Sequence, residues 1–135
     1  AIILLNDDVR VFPGWLEQLQ EKAKDPKVGI VADKWMTSNR KHHVPFYFVY
    51  IKKEVFDKIG LLDERFIGGE WEDVDFCVRA IEAGYTIAET ENVNCVHKTS
   101  QTLKNLSSEL EEERKKNEQR FKTKWEGTRW EKEWN

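Results

Sequence analysis

The sequence AIILLNDD, residues 1–8, indicates an α/β fold, because five uninterrupted apolar residues are followed at once by an amide and two carboxylates. A short run that is apolar at every position is typical of a strand buried on both faces inside a parallel sheet. Polar side chains that follow such a strand lie at its carboxyl end, where open α/β sheets bind their ligands. Since a central strand does not normally begin a domain, we expect this sequence to be a fragment of a longer one.

Helical and extended patterns alternate from this run up to residue 103. Apolar spacing and end signals predict three helices, at residues 15–24, at 53–59 before Gly60, and from the acidic run 70–75 to Ala83 before Gly84. Short β-branched and aromatic runs predict strands at 28–32, 46–51, 86–88 and 93–96. The polar stretch 33–45 is predicted to be a loop with solvated His42 and His43. Together these patterns predict a mixed sheet flanked by helices.

The chain changes character at residue 104, since 17 of its last 32 residues are charged. Opposite charges three and four residues apart predict one solvated helix over 109–122. Its few core-facing candidates are Leu103, Leu106, Leu110 and Phe121. We therefore expect residues 104–135 to be a charged, Trp-rich helical tail that packs on residues 1–103 or on a partner.

The composition limits the class of protein. A length of 135 residues and a net charge of −3 suit a single domain without general attraction to nucleic acid. No apolar run approaches the ~18 residues that a membrane-spanning helix needs. Two cysteines fit a reducing compartment, so we expect a cytoplasmic location, with peripheral membrane association as the alternative.

Two of the polar clusters follow predicted strands. Asn6, Asp7 and Asp8 could bind a hard cation such as Mg²⁺ or Mn²⁺, which takes oxygen ligands, but Asn and Asp are also ordinary turn residues. His97 follows the last predicted strand, where it could be a metal ligand or a structural histidine. Both interpretations stay open from the residues alone.

The third cluster is EWEDVD at residues 70–75, which places four acids in six residues at a predicted helix start. One or two of them would cap free N–H groups and meet the positive end of the helix dipole. Four acids repel one another and should raise at least one pKa, which would suit a general base. Capping and base catalysis are both open here.

Taken together, these motifs resemble the second half of a family 2 glycosyltransferase of the GT-A fold, in its bacterial rhamnosyltransferase-like branch. The resemblance covers nearly the whole chain and is carried by the order and spacing of its stretches. These are LLNDDV at 4–9, PGWL at 13–16, KEVF at 53–56, IG at 59–60, LDERF at 62–66, EDVDFCVRA at 72–80, GY at 84–85, VH at 96–97 and FKTKW at 121–125.

The resemblance implies a metal-dependent, inverting transfer of a sugar from a nucleotide-diphosphate donor to a saccharide or other hydroxyl acceptor. Residues 6–8 stand where the family carries its DXD motif. Asp8 would bind Mn²⁺ or Mg²⁺, His97 would complete the metal site, and Asn6 and Asp7 would contact the donor. The metal would stabilise the charge of the leaving diphosphate.

The resemblance also implies roles for the acidic run. Asp73 would be the catalytic base that deprotonates the acceptor hydroxyl, and Glu72 and Asp75 would support it or touch the acceptor. Trp71 would stack on a sugar ring, with a place in the core as the alternative.

Two other functions are open from the sequence. The first is a non-catalytic GT-A remnant that binds sugars or forms a homodimer through an exposed sheet edge. The second is an acidic metal-binding phosphotransfer domain of another kind. It would need an aspartyl nucleophile and a phosphate-binding Lys, Ser or Thr at strand ends, and the sequence does not indicate that set.

Overall fold

The computed structural model describes residues 1–33, 42–91, 93–98 and 107–133. The strands in these ranges are β1 (Ile2–Leu5), β2 (Val9–Val11), β3 (Val28–Asp33), β4 (Phe48–Ile51), β5 (Thr86–Thr90) and β6 (Cys95–His97). The helices are α1 (Trp15–Ala23), α2 (Lys53–Ile59), α3 (Glu72–Glu82), α4 (Ser108–Lys115), α5 (Asn117–Lys124) and α6 (Trp130–Glu133). None of these helices is long and apolar enough to cross a membrane.

Four strands form one mixed sheet in the order β1-β4-β3-β5. β4 is antiparallel to both of its neighbours, and β5 is parallel to β3. β2 and β6 form a separate antiparallel ribbon that places Val9 opposite His97. The predicted α/β class, with a mixed sheet flanked by helices, is confirmed.

β1 differs from the strand that its apolar run predicts. It pairs antiparallel with β4 at one edge of the four-stranded sheet, and Ile2 and Leu5 are 38% and 46% exposed. All six residues of β3 are buried instead. The prediction of burial on both faces was wrong because burial depends on which strands pair on each side, and those strands lie far along the chain.

Both faces of the sheet are covered. Since successive strand residues point to opposite faces, Ile30 packs with Val55 of α2 and Phe76 of α3, while Val31 packs with Leu19 of α1. A third apolar cluster joins α3 to the C-terminal helices. Its buried members are Phe66, Trp71, Val74, Val78, Phe121 and Trp130.

Residues 108–124 form two helices where one was predicted over 109–122. The helical run is interrupted at Lys116, between α4 and α5. There the Glu113 carbonyl accepts from the Lys116 N–H and from the Arg120 guanidinium, both at 3.1 Å. Phe121 is buried as expected, and the predicted core positions Leu103 and Leu106 lie outside the described residues.

Candidate functional site

Asp8 and His97 are brought together by the ribbon of β2 and β6. Asp8 directly precedes β2, His97 ends β6, and the Lys98 N–H donates to the Asp8 carbonyl at 3.0 Å. The His97 Nε2 lies 3.0 Å from the Asp8 Oδ1. Strand pairing therefore joins two predicted site residues that are distant in the sequence.

Tyr47 packs against the histidine of this pair. Its ring stacks on the His97 imidazole with centroids 4.5 Å apart and planes 2° from parallel. Burial raises the pKa of Tyr47, and the negative charge of Asp33 adds to the rise. The Tyr47 carbonyl accepts from the Asn6 N–H at 2.8 Å, which ties the turn after β1 to the same residue. Asn6 and Asp7 are exposed in this turn, next to Asp8.

Asp73 forms a second histidine–carboxylate pair at the start of α3. Its Oδ1 accepts from the Val74 N–H at 2.7 Å, and its Oδ2 lies 3.0 Å from the His43 Nε2. His43 is only 8% exposed, so the prediction that it is solvated was wrong, whereas His42 is exposed. No local pattern distinguishes these neighbours, because what buries His43 is packing against an element 30 residues away.

A short stretch of chain connects the two pairs. His43 contacts Asp73, and Tyr47 stacks on His97. Four residue-to-residue steps span at most about 14 Å of chain. One short segment of chain therefore contacts both pairs, although Asp8, Asp73 and His97 lie far apart in the sequence.

Glu72, at the first position of α3, has a raised proton affinity. Its pKa is raised to about 7, first by burial and then by the negative charge of Asp73. Its Oε2 is buried and receives no hydrogen bond from the residues that the structure describes. Repulsion among the acids was predicted to raise a pKa, and it contributes here, but burial is the larger cause. A carboxyl group that titrates near neutrality is suited to proton transfer.

Asp75 and Trp71 face the C-terminal helices. Asp75 is completely buried and contacts Arg79 Nε at 2.8 Å, Lys124 Nζ at 2.7 Å and Trp125 Nε1 at 3.0 Å. Trp71 is 7% exposed and packs on Phe121, with ring centroids 5.1 Å apart. This arrangement favours a structural role for Asp75 in place of the predicted acceptor contact, and the core alternative for Trp71.

The loop that leads into α3 has an unusual backbone. Four successive residues are left-handed, with φ of 77° at Gly68, 85° at Gly69, 71° at Glu70 and 75° at Trp71. Glycine adopts this region freely, but each non-glycine residue there costs about 1–3 kcal/mol. Other parts of the structure must therefore stabilise the loop.

The Asp8–His97 pair is suited to a cation that shares its ligands with a substrate. The Asp8 Oδ1 is buried and, among the described residues, receives no well-directed hydrogen bond. Within the same ranges, no group of three or more His, Cys, Asp or Glu side chains is arranged to hold a metal ion. Mg²⁺ sites commonly use one or two carboxylates together with substrate phosphates, and Asp8 offers one such carboxylate.

Comparison with protein-family models, with curated protein sequences and with solved structures finds no match to this chain.

Proposed function

We propose that this chain is the metal- and acceptor-binding half of a GT-A-type glycosyltransferase, which transfers a sugar from a nucleotide-diphosphate donor to an acceptor hydroxyl with inversion. The observation that supports this most is the pairing of Asp8 with His97 and of Asp73 with His43, joined by residues 43–47. Such a transfer needs positive charge at the leaving diphosphate and a base at the acceptor. The two pairs have the side chains for these two tasks.

The first pair is the proposed metal site. Asp8 and His97 would hold Mn²⁺ or Mg²⁺, which when bound supplies positive charge to the diphosphate. Tyr47 fixes the plane of the His97 ring by stacking, so the imidazole stays directed at Asp8. Asn6 and Asp7, exposed beside Asp8, are the proposed donor contacts.

The second pair is the proposed base. Asp73 is oriented by two partners, the Val74 N–H and His43, so its carboxylate has a defined direction. The acceptor hydroxyl would give its proton to this carboxylate as its oxygen attacks the sugar. Glu72 is adjacent in the chain and has a pKa near neutrality, which makes it the alternative proton acceptor.

Asp8→Ala tests the metal site. In the natural polypeptide that carries this sequence, calorimetry should show Mn²⁺-dependent binding of a nucleoside diphosphate, and the variant should lose it. Asp57→Ala is the matched control, because Asp57 is a carboxylate in an exposed ion pair with Lys53 on α2. Equal affinity of the wild-type protein with and without Mn²⁺ would refute the site.

Asp73→Asn tests the base. We expect turnover to fall roughly 10²–10⁴-fold while donor affinity stays nearly unchanged, because a general base contributes to the rate and not to donor binding. Glu72→Gln is measured in parallel to separate the two candidate bases. A full rate in Asp73→Asn would show that Asp73 only stabilises the helix start.

The edge of the sheet favours a second candidate function, a non-catalytic module that dimerises. Within the described residues β1 pairs only with β4, and Ile2 and Leu5 of this edge strand are exposed. Sedimentation of the wild-type chain and of Ile2→Lys tests it. A dimer that the substitution dissociates would support pairing through β1, and a monomer at all concentrations would remove this candidate.

A further inference from the structure

We infer that Asn117, at the start of α5 in the charged tail, is a positioning residue for the carboxylates that open α3. Asn117 positions them by fixing the loop at residues 67–71, which leads into α3 and contains the four left-handed residues. The effect on sugar transfer rests on the proposed function, whereas the effect on the loop does not.

The side chain of Asn117 is completely buried against this loop. Its Nδ2 donates to the carbonyls of Ile67 at 3.0 Å, Gly69 at 2.9 Å and Glu70 at 3.1 Å. The Arg120 guanidinium donates to the Asn117 Oδ1 at 2.7 Å, so the nitrogen of the amide must face the loop. An amide group has two hydrogens, so one of them is shared between two carbonyls.

The loop needs such a donor for an electrostatic reason. Three carbonyl oxygens within hydrogen-bond distance of one nitrogen lie close enough to repel one another. The left-handed φ of Glu70 and Trp71 is in addition unfavourable for L-residues. The amide of Asn117 offsets the carbonyl repulsion and the backbone strain, because its N–H groups supply partial positive charge at the point where the carbonyls converge.

The helix before Asn117, α4, packs against the same loop. A Cβ placed on Gly68 would lie 2.9 Å from Leu110 Cδ1 and 2.9 Å from Arg114 Cγ, so α4 packs directly on the backbone there. Arg114 also forms an ion pair with Glu70. These contacts hold the tail against the loop and keep the Asn117 amide within hydrogen-bond distance of the carbonyls.

The loop determines where the first turn of α3 lies. Trp71 is the last left-handed residue, and its carbonyl accepts from the Asp75 N–H at 2.9 Å. Glu72 and Asp73 follow directly. A loop released from Asn117 would therefore expose Glu72 to water and separate Asp73 from His43.

Asn117→Asp is the sharpest test, because it keeps the shape of the side chain and replaces the donor by an acceptor. In the full chain, we expect the NMR-detected pKa of Glu72 to fall from about 7 by at least one unit in Asn117→Ala, which adds no charge beside the acidic run. Amide hydrogen exchange at residues 68–72 should become at least tenfold faster in both variants. Gln119→Ala is the matched control, since that amide is exposed on the same helix and donates only to Thr123 at 3.3 Å in the described structure.

A second variant covers the case in which Asn117→Asp does not fold. Asn117→Ala leaves the carbonyls free for water and is read by the same two measurements. Folded variants with unchanged Glu72 titration and unchanged exchange would overturn the inference.

Kinetics separate this inference from the proposed function. In an active enzyme, Asn117→Ala should lower kcat about tenfold with an unchanged donor KM. If the wild-type enzyme transfers no sugar but the Glu72 pKa still shifts in the variant, the proposed function fails and the positioning role stands. If transfer is present and neither kcat nor the pKa responds, the positioning role fails.

Discussion

Asp73 and Asp75, two carboxylates on different faces of the first turn of α3, carry the same charge but lie in different environments. Asp73 contacts His43 with a side chain 15% exposed, whereas Asp75 is completely buried among Arg79, Lys124 and Trp125. Residues two apart in a helix point about 200° apart, so these carboxylates face different neighbours. The acids of this run therefore do not share one role, because each face of the helix gives its acids different partners.

The charged tail contacts both the first turn of α3 and the loop before it. Asp75 is neutralised by Lys124 of α5, and the loop before α3 is held by Asn117 at the start of that helix. The face that binds the tail anchors the helix, and the opposite face presents Asp73. Three predictions test this division, starting with the one that removes the anchor.

Asp75→Asn should have the largest effect on stability. It removes the charge that offsets Lys124 and Arg79 in a buried position, and breaking such a pair costs about 3–5 kcal/mol. Urea unfolding measures the loss in the free energy of unfolding. Asp57→Asn is the control, because its ion pair with Lys53 is exposed and should contribute at most about 0.5 kcal/mol. A loss below that of the control would show that Asp75 does not anchor the tail.

Glu72→Gln should remove a pH dependence of stability. The folded pKa is about 7 and the ordinary value is 4.5, so between these values the folded protein binds more protons than the unfolded one. The free energy of unfolding should therefore fall as pH rises from 4.5 to 7, by at most about 3 kcal/mol.

The variant should unfold with a flatter pH profile and be more stable than the wild type at pH 8. Glu126→Gln, at an exposed acid in the C-terminal segment, is the control and should keep the wild-type profile. Parallel profiles for Glu72→Gln and the wild type would place Glu72 in contact with solvent.

Glu70→Gln should have the smallest effect of the three. Glu70 pairs with Arg114 but its side chain is 57% exposed, and pairs of this kind contribute about 0.2–1 kcal/mol. The loss should shrink further in 1 M salt, because salt screens exposed charges. A salt-independent loss of unfolding free energy above about 2 kcal/mol would show that Glu70, like Asp75, anchors the tail.

Several elements were predictable because their signals are local. α1 and α2 lie where apolar spacing and Gly60 place them, and the acidic run does open a helix. The ribbon strand β2 has three residues and was not predicted, and His43 was predicted to be solvated. These features depend on partners 30 or more residues away, which no local pattern reports.

The sequence by itself determined the local conformation of this protein, since helix ends, turns and strand runs follow from the backbone preferences of neighbouring residues. It also determined that acids would gather at the start of α3. Only the tertiary structure decided which of them pairs with a lysine, which has a raised pKa and which stays directed at a histidine. The physical reason is that pKa and ion pairing depend on burial and on charges within a few ångströms, and residues 42–47 and the C-terminal helices supply these only after the chain has folded.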